Sequence, residues 1–263
     1  MKVAVCFYGL VGSKDKKYGV GDTLDPTISY EYFKKNILEN ENQIKIFIHS
    51  QSYDSKNQLI DIYNPNKFLI EKQKNFFWKT LFNKKVIIKL MKCFINLKNF
   101  SKNYHDYKKS FKRCENLLSR WYSTKKVVDL KIEYETENNI KFDLVMLTRL
   151  DMAYFSKFEF DKIPKKKLTV PHHNDVGGPK NNYEVSIKKN NRTFEKGISD
   201  FWFISSSRNI DQFSRLYDHF NNYNISSHVS SFQHAKFLNL ELNFYKFRGI
   251  DHEAIRRLNL SSE

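Results

Sequence analysis

Glycine and proline are scarce in this chain of 263 residues, at eight and five. So few turn formers exclude a collagen-like repeat and a low-complexity coil, and they speak against an all-β protein built on tight turns. Cysteine is scarcer still. Cys6, Cys93 and Cys114 are an odd number at spacings that match no metal-ligand pattern, so free thiols in a reducing compartment are expected. Long apolar runs are also missing. No window reaches the roughly 18 uncharged apolar residues that a membrane span needs, and the stretch between Lys2 and Gly9 is too short for the apolar core of a signal peptide. These absences lead us to expect a cytoplasmic protein. Negative charge is the last shortage: 29 Asp and Glu face 45 Lys and Arg, a formal net charge of +16.

What is present is apolar bulk. Hydrophobic residues make up 40% of the chain, with 23 Phe and 15 Tyr, enough for a sizeable core. The length fits one large domain, or one domain with an insertion. The positive charge is unevenly spread, because residues 67–126 hold 17 Lys or Arg and 3 Asp or Glu. A field so concentrated suggests an anionic partner: lipid headgroups, nucleic acid or a phosphorylated substrate.

One stretch organises the rest. In FDLVMLTRLD, residues 142–151, the run Phe142, Leu144, Val145, Met146, Leu147 is apolar and too short for a typical helix. It reads as a buried strand. It ends in Thr148, Arg149 and Asp151, so charge appears where such a strand leaves the sheet, the edge at which open α/β sheets bind ligands. A carboxylate there suits a divalent cation, and the arginine suits phosphate or the carboxylate itself. The competing reading is a strand-end Asp in a surface salt bridge.

KVAVCFYG, residues 2–9, reads as a first strand buried on both faces. Gly9, Gly12, Gly19 and Gly21 follow, interleaved with Lys14, Lys16 and Lys17. Glycines in that position let backbone N–H groups approach a phosphate, although the spacing matches neither the dinucleotide fingerprint nor the P-loop. Residues 26–40 carry helical spacing behind Pro26, and QIKIFIHS, residues 43–50, is a second strand with His49 at its end. His49 reads either as a ligand contact or as a hydrogen-bonded structural histidine. Strand, helix, strand is a βαβ opening, so an α/β fold with a parallel sheet is expected.

Residues 71–104 place Phe77, Trp78, Phe82, Ile88, Met91 and Phe94 among Lys79, Lys84, Lys85, Lys89 and Lys92. Apolar bulk on one side and only positive charge on the other is the pattern of an interfacial helix. The competing reading is a helix packed on its own domain. From Tyr104 to about Glu137 the pattern stays helical, as two pieces, with Leu117, Trp121, Val127 or Val128, Leu130 and Tyr134 on a buried stripe. LTVPHHNDVGGPK, residues 168–180, reads as a strand running into a loop that holds His172, His173 and Asp175, candidates for metal or sugar hydroxyls. Asp200 precedes the apolar run FWFI, and Ser207 or Asn209 is the expected cap of a helix running to about Phe220. Another helix is expected around His228 and His234.

Three of these stretches together resemble bacterial glycosyltransferases of the GT-A type that build capsules and lipopolysaccharides. They are the opening VAVCFYG, the span RWYSTKKVVDLKIEYETENNIKFDLVMLTRLD, with its Tyr-Ser, its Tyr-Glu-x-x-Asn and its strand ending Arg-x-Asp, and the phrase DFWFISSSRNID. The resemblance covers about 60 residues well and the first 50 loosely, and it leaves a basic helical insertion at about 67–105 unmatched. It implies a GT-A-like, mostly parallel central sheet flanked by helices and transfer of a sugar from a nucleotide-sugar donor to a hydroxyl of a growing surface glycan. It places donor binding on Tyr8, Gly9, Gly12, Arg149 and Asp151. Asp151 stands where the family's Asp-x-Asp holds Mn²⁺ or Mg²⁺, with His252 as a further metal ligand, but only the last carboxylate of that motif is present. Asp200 falls where inverting members keep a catalytic base. His172, His173 and Asp175 are left for the acceptor or for a second tier around the site.

The resemblance implies a nucleotide sugar and a glycan or lipid-linked glycan as partners, and the residue pattern of 71–104 adds an anionic membrane surface. That surface would put the protein on the inner face of the membrane. The alternatives are a nucleic-acid-binding protein using the charge of 67–126 and a non-catalytic membrane scaffold. No nucleic-acid-binding motif is present, and no nucleic-acid partner is expected.

Overall fold

The computed structural model describes residues 1–12, 24–39, 41–172 and 197–258. At its centre lies β1 (Lys2–Gly9), paired in parallel with β2 (Gln43–Ser50) on one side and with β4 (Leu144–Arg149) on the other. Alternation along β1 divides the core. Val3, Val5 and Phe7 enter one apolar cluster and Ala4, Cys6 and Tyr8 another, on the opposite face. α1 (Pro26–Phe33), a π-helical turn over Lys34–Leu38 and α2 (Lys56–Tyr63) supply Phe33, Ile37, Leu59 and Tyr63 to the first cluster. Asp25 caps α1, its side chain accepting from the N–H of Thr27, with Pro26 in the first turn where its missing N–H costs nothing.

The sheet has seven strands in the order β3-β2-β1-β4-β7-β6-β8. β3 (Lys67–Ile70), β6 (Leu168–His172), β7 (Trp202–Ser205) and β8 (Leu242–Phe247) complete it. The sheet is mixed but mostly parallel, with β7 running antiparallel to both β4 and β6. The reversal matters for function. It brings the start of β7, just after Asp200, to the edge where β1 and β4 end, as the pairing of Thr148 with Trp202 shows. Two further short strands, β5 (Met152–Tyr154) and β9 (His252–Ala254), pair antiparallel beside that edge.

The second face is covered by α5 (Phe100–Glu137), a single helix of 38 residues where two pieces were expected. No Gly or Pro interrupts it. Leu117, Trp121, Val127 and Val128 pack on the sheet as anticipated, whereas the N-terminal half runs past it. That half is met by α3 (Phe77–Leu81) and α4 (Lys84–Ile95), around a small third core of Phe76, Val86, Cys114, Leu118 and Tyr122. The basic helical stretch therefore starts later than 67, because Lys67–Ile70 is the edge strand β3. No helix among the described residues is long and apolar enough to cross a membrane.

The end of α5 is pinned by a buried ionic network. Lys131 Nζ donates to Glu135 Oε2 (3.0 Å), Ser207 Oγ (2.6 Å) and Asp211 Oδ1 (2.5 Å). Glu135 in turn accepts from the N–H of Phe142 (3.0 Å), Ser207 Oγ (2.7 Å) and Lys141 Nζ (2.8 Å). Burial works against the charge of Glu135, and these donors hold its carboxyl below the ordinary range. The Tyr-Glu-x-x-Asn phrase is thus a junction joining the helix, the entry to β4 and α6 (Ser207–Phe213). The cap of α6 is Ser206, whose Oγ accepts from the N–H of Asn209, not Ser207 or Asn209 themselves. Ser207 is occupied by Glu135 and Lys131. The helix expected to reach Phe220 stops at Phe213, and α7 (Leu216–His219) follows separately; the next helix is α8 (Ser227–Phe237).

Candidate functional site

The carboxyl ends of β1, β2 and β4 and the start of β7 form one edge. Gly9 and Gly12 leave β1 with φ of +98° and +105°, in the region that favours glycine. The N–H of Gly9 donates to Ser123 Oγ (2.8 Å) and its carbonyl accepts from Ser50 Oγ (2.9 Å), tying the turn to α5 and β2. Gly12 has a second reason to be glycine. A Cβ there would lie 2.9 Å from Leu24 Cδ1 and 3.2 Å from Asp151 Cβ. The backbone after β1 therefore lies directly against Asp151.

Asp151 is buried and carries two guanidinium partners. Arg149 reaches it with Nε to Oδ1 (2.8 Å) and Nη2 to Oδ2 (2.5 Å), and Arg256 Nη1 lies 2.9 Å from Oδ2. Ile255 is held there by its N–H, which donates to the Asp151 carbonyl, so the chain segment after β9 delivers Arg256. Burial opposes the charge of Arg149 and Asp151 more than restores it. For Arg256, burial and then the neighbouring Arg149 hold the guanidinium below its ordinary range, and Asp151 offsets this only in part. Two guanidinium groups thus share the carboxylate of Asp151, while Glu253 also acts on Arg256 and pairs with Arg248 at 3.0 Å.

Next to this group lies Asp200. Its carboxylate is ion-paired with Arg120 of α5, and His228 Nδ1 lies 3.4 Å from its Oδ1. Arg120 also donates to Tyr8 Oη (2.5 Å), and Tyr8 donates to the Asp200 carbonyl (3.3 Å). Burial would raise the Asp200 carboxyl, but Arg120, His228 and Arg149 pull it far below the usual carboxylate range. Arg149 and Arg248 lie over the ring of Phe201, 5.7 and 5.1 Å from its centroid. The Nε of Arg120 is buried and has no hydrogen-bond partner among the described residues. Such a donor is costly unless something accepts from it.

Tyr8, Gly9, Gly12, Arg149, Asp151 and Asp200 thus come to one edge. The other expected residues do not join them. His252 is buried between aromatic rings, 5.9 Å from Phe201 and 5.8 Å from Trp202 by centroid, and burial lowers its pKa to about 3. The charges acting on it are those of Asp251, Arg248 and Lys246. His172 stacks on Phe247 at 4.0 Å, at the far strand pair β6–β8. His173 and Asp175 lie outside the described residues. His49 is structural, with Nδ1 2.6 Å from Ser123 Oγ and Nε2 3.1 Å from Glu71.

For a divalent cation the arrangement offers little: both oxygens of Asp151 are taken by arginine, His252 lies among aromatic rings with neither ring nitrogen hydrogen-bonded among the described residues, and among those residues no three His, Cys, Asp or Glu gather as a metal site. What the arrangement can do is hold a polyanion of phosphate type against guanidinium groups and glycine backbone. Sequence reasoning missed Arg120, Arg248, Arg256 and His228. Arg120 opens the RWYS stretch and Arg256 sits in an Arg-Arg pair near the chain end, so their charge was visible but not their convergence. No protein-family model matches the chain, and no curated protein matches it. The chain is an α/β protein with a mixed, mostly parallel seven-stranded sheet flanked by helices and an arginine-rich edge.

Proposed function

We propose that this chain is a GT-A-like glycosyltransferase that moves a sugar from a nucleotide-sugar donor to a hydroxyl of a growing surface glycan, free or lipid-linked. Arginine takes the part of the metal. The observation that carries the reading is Asp151 held between Arg149 and Arg256 at the end of β4, with the Gly12 backbone against it. In the reaction the acceptor oxygen bonds to the anomeric carbon while the bond from that carbon to the phosphate oxygen breaks. The electron pair leaves with the nucleoside diphosphate, and the hydroxyl proton passes to a base. Preorganised cations facing the leaving phosphate stabilise the charge that develops there. Asp151 orients Arg149 and Arg256 for that task as a carboxylate braces a guanidinium fork.

Asp200 fits the base role poorly. One of its oxygens is ion-paired with Arg120 and the other faces His228, and these cations stabilise the carboxylate rather than its protonated form. Its better use is positioning, since it holds Arg120 and His228 beside Tyr8. The test is incubation with nucleotide sugars and saccharide acceptors in EDTA, following acceptor mass and released nucleoside diphosphate. A gain of one sugar that falls at least tenfold in Arg256→Ala supports the reading. Binding without transfer from any donor, or transfer that requires added Mn²⁺, contradicts it.

A further inference from the structure

The outer face of the α3–α4–α5 hairpin is apolar and exposed to an extent that its own packing does not explain. On α4 the buried residues are Val86 and Cys93, and Val86 packs with Cys114 and Leu118 of α5. Ile88, Met91 and Ile95, at spacings of three and four, stand on the outer side, and Ile95 is 78% exposed. Trp78 and Phe94 are exposed to 68% and 67%. The rings are continuous. Phe82, Trp78 and Phe77 succeed one another at 6.3 and 5.3 Å, and Phe77 meets Phe111 of α5 at 5.4 Å. From Phe111 the series runs back along α5 through Tyr107 and Tyr104 to Phe100, each step between 5.8 and 6.2 Å. Contiguous exposed apolar surface of this kind marks an interaction site.

Charge selects the partner. Residues 77–104 contain seven lysines and no Asp or Glu. Lys79 and Lys85 are tied to Tyr217 and Tyr223, whereas Lys84, Lys92, Lys98 and Lys102 are exposed around the apolar face. A second copy of this face would set lysine against lysine. Nucleic acid would meet the lysines but leave Ile88, Met91, Ile95 and Leu97 without a role. A surface with anionic groups above hydrocarbon matches both features.

We infer that this face docks on an anionic lipid bilayer, with Trp78, Phe82, Phe94 and Ile95 entering the interface and the lysines meeting lipid phosphates. α5 links this surface to the arginine-rich edge, because Arg120 and Ser123 lie on the same helix. The inference does not depend on sugar transfer.

The tryptophans allow a direct test on the full chain. There are three, and Trp121 and Trp202 are fully buried, so a change in polarity at the surface is read by Trp78. Vesicles of phosphatidylglycerol should shift the emission to the blue, and brominated lipid should quench it, while phosphatidylcholine vesicles do neither. Replacing Lys84, Lys92, Lys98 and Lys102 by Glu should weaken vesicle partition by more than about a hundredfold, given that each lysine near the surface supplies roughly fivefold. The unfolding midpoint is measured alongside, and the wild-type arm needs no variant. No shift with any vesicle, equal response to both lipids, or unchanged partition in the quadruple variant overturns the inference. So does self-association through the face, or tighter binding to a random oligonucleotide, in the absence of lipid binding.

Discussion

Replacing Lys131 by methionine removes a charge from the most enclosed ionic network in the molecule while nearly keeping side-chain volume. Both Lys131 and Glu135 are fully buried, so the carboxylate left behind has no access to water for compensation. Removing one member of a buried pair costs roughly 3–5 kcal/mol. Glu135 keeps three other donors, from Phe142, Ser207 and Lys141, which places the expected loss near the lower end, about 3 kcal/mol. At roughly 2–4 °C per kcal/mol for a chain of this size, the midpoint should fall by about 6–12 °C. Urea unfolding followed by circular dichroism reads the loss as a lower midpoint at unchanged slope. The double variant Lys131→Met with Glu135→Gln should recover at least half of it. Glutamine leaves no buried negative charge and still accepts from the N–H of Phe142. A single variant within about 0.5 kcal/mol of the wild type would refute the idea that this junction holds α5, β4 and α6 together.

His49, His234 and His252 are buried, and burial lowers their pKa values to about 4, 4 and 3. The unfolded chain takes up protons near pH 6.5 that the folded state refuses, so stability is complete above that pH and is lost as pH falls from there toward 4; at pH 5 each histidine should account for about 2 kcal/mol, and stability that stays flat between pH 7.5 and 5 would contradict this. Gly12→Ala should destabilise by about 1–2 kcal/mol and weaken nucleotide binding, because it combines a positive φ with contacts to Leu24 and Asp151. Gly9→Ala, with a similar φ and no heavy atom within 4 Å of its Cβ, supplies the control: equal binding losses in the two variants would deny that Gly12 is shaped around Asp151.

Of the seven strands, β1, β2, β4 and β6 were legible because they carry local signals, whereas β7 showed only as an apolar run and β8 was not read as a strand. β1, β2 and β4 are short apolar runs bounded by turns, and their parallel pairing follows from the intervening helix. β3 was not legible, since KFLI is brief and lies beside a lysine-rich stretch that reads as helix. The continuity of α5 could have been read from its lack of Gly and Pro. At the site, local spacing revealed Arg149 and Asp151, which are two residues apart. It did not reveal Arg256, which is 105 residues from Asp151 and arrives through the β5–β9 pairing, or Arg120, which depends on how α5 crosses β1. The Tyr-Ser and Tyr-Glu-x-x-Asn phrases were legible as motifs and illegible in meaning. Ser123 fastens the turn after β1 and Glu135 fastens the entry to β4, so both serve the site by holding its frame.

The most direct test of arginine as the phosphate-holding group is a calorimetric titration of nucleoside diphosphates into the full chain, in EDTA, for wild type and Arg256→Ala. We expect wild-type binding that is indifferent to the chelator, weakens with salt and loses at least tenfold in affinity in the variant. Binding that appears only when Mn²⁺ or Mg²⁺ is added, and that Arg256→Ala leaves unchanged, would contradict the account and return Asp151 to the role of metal ligand.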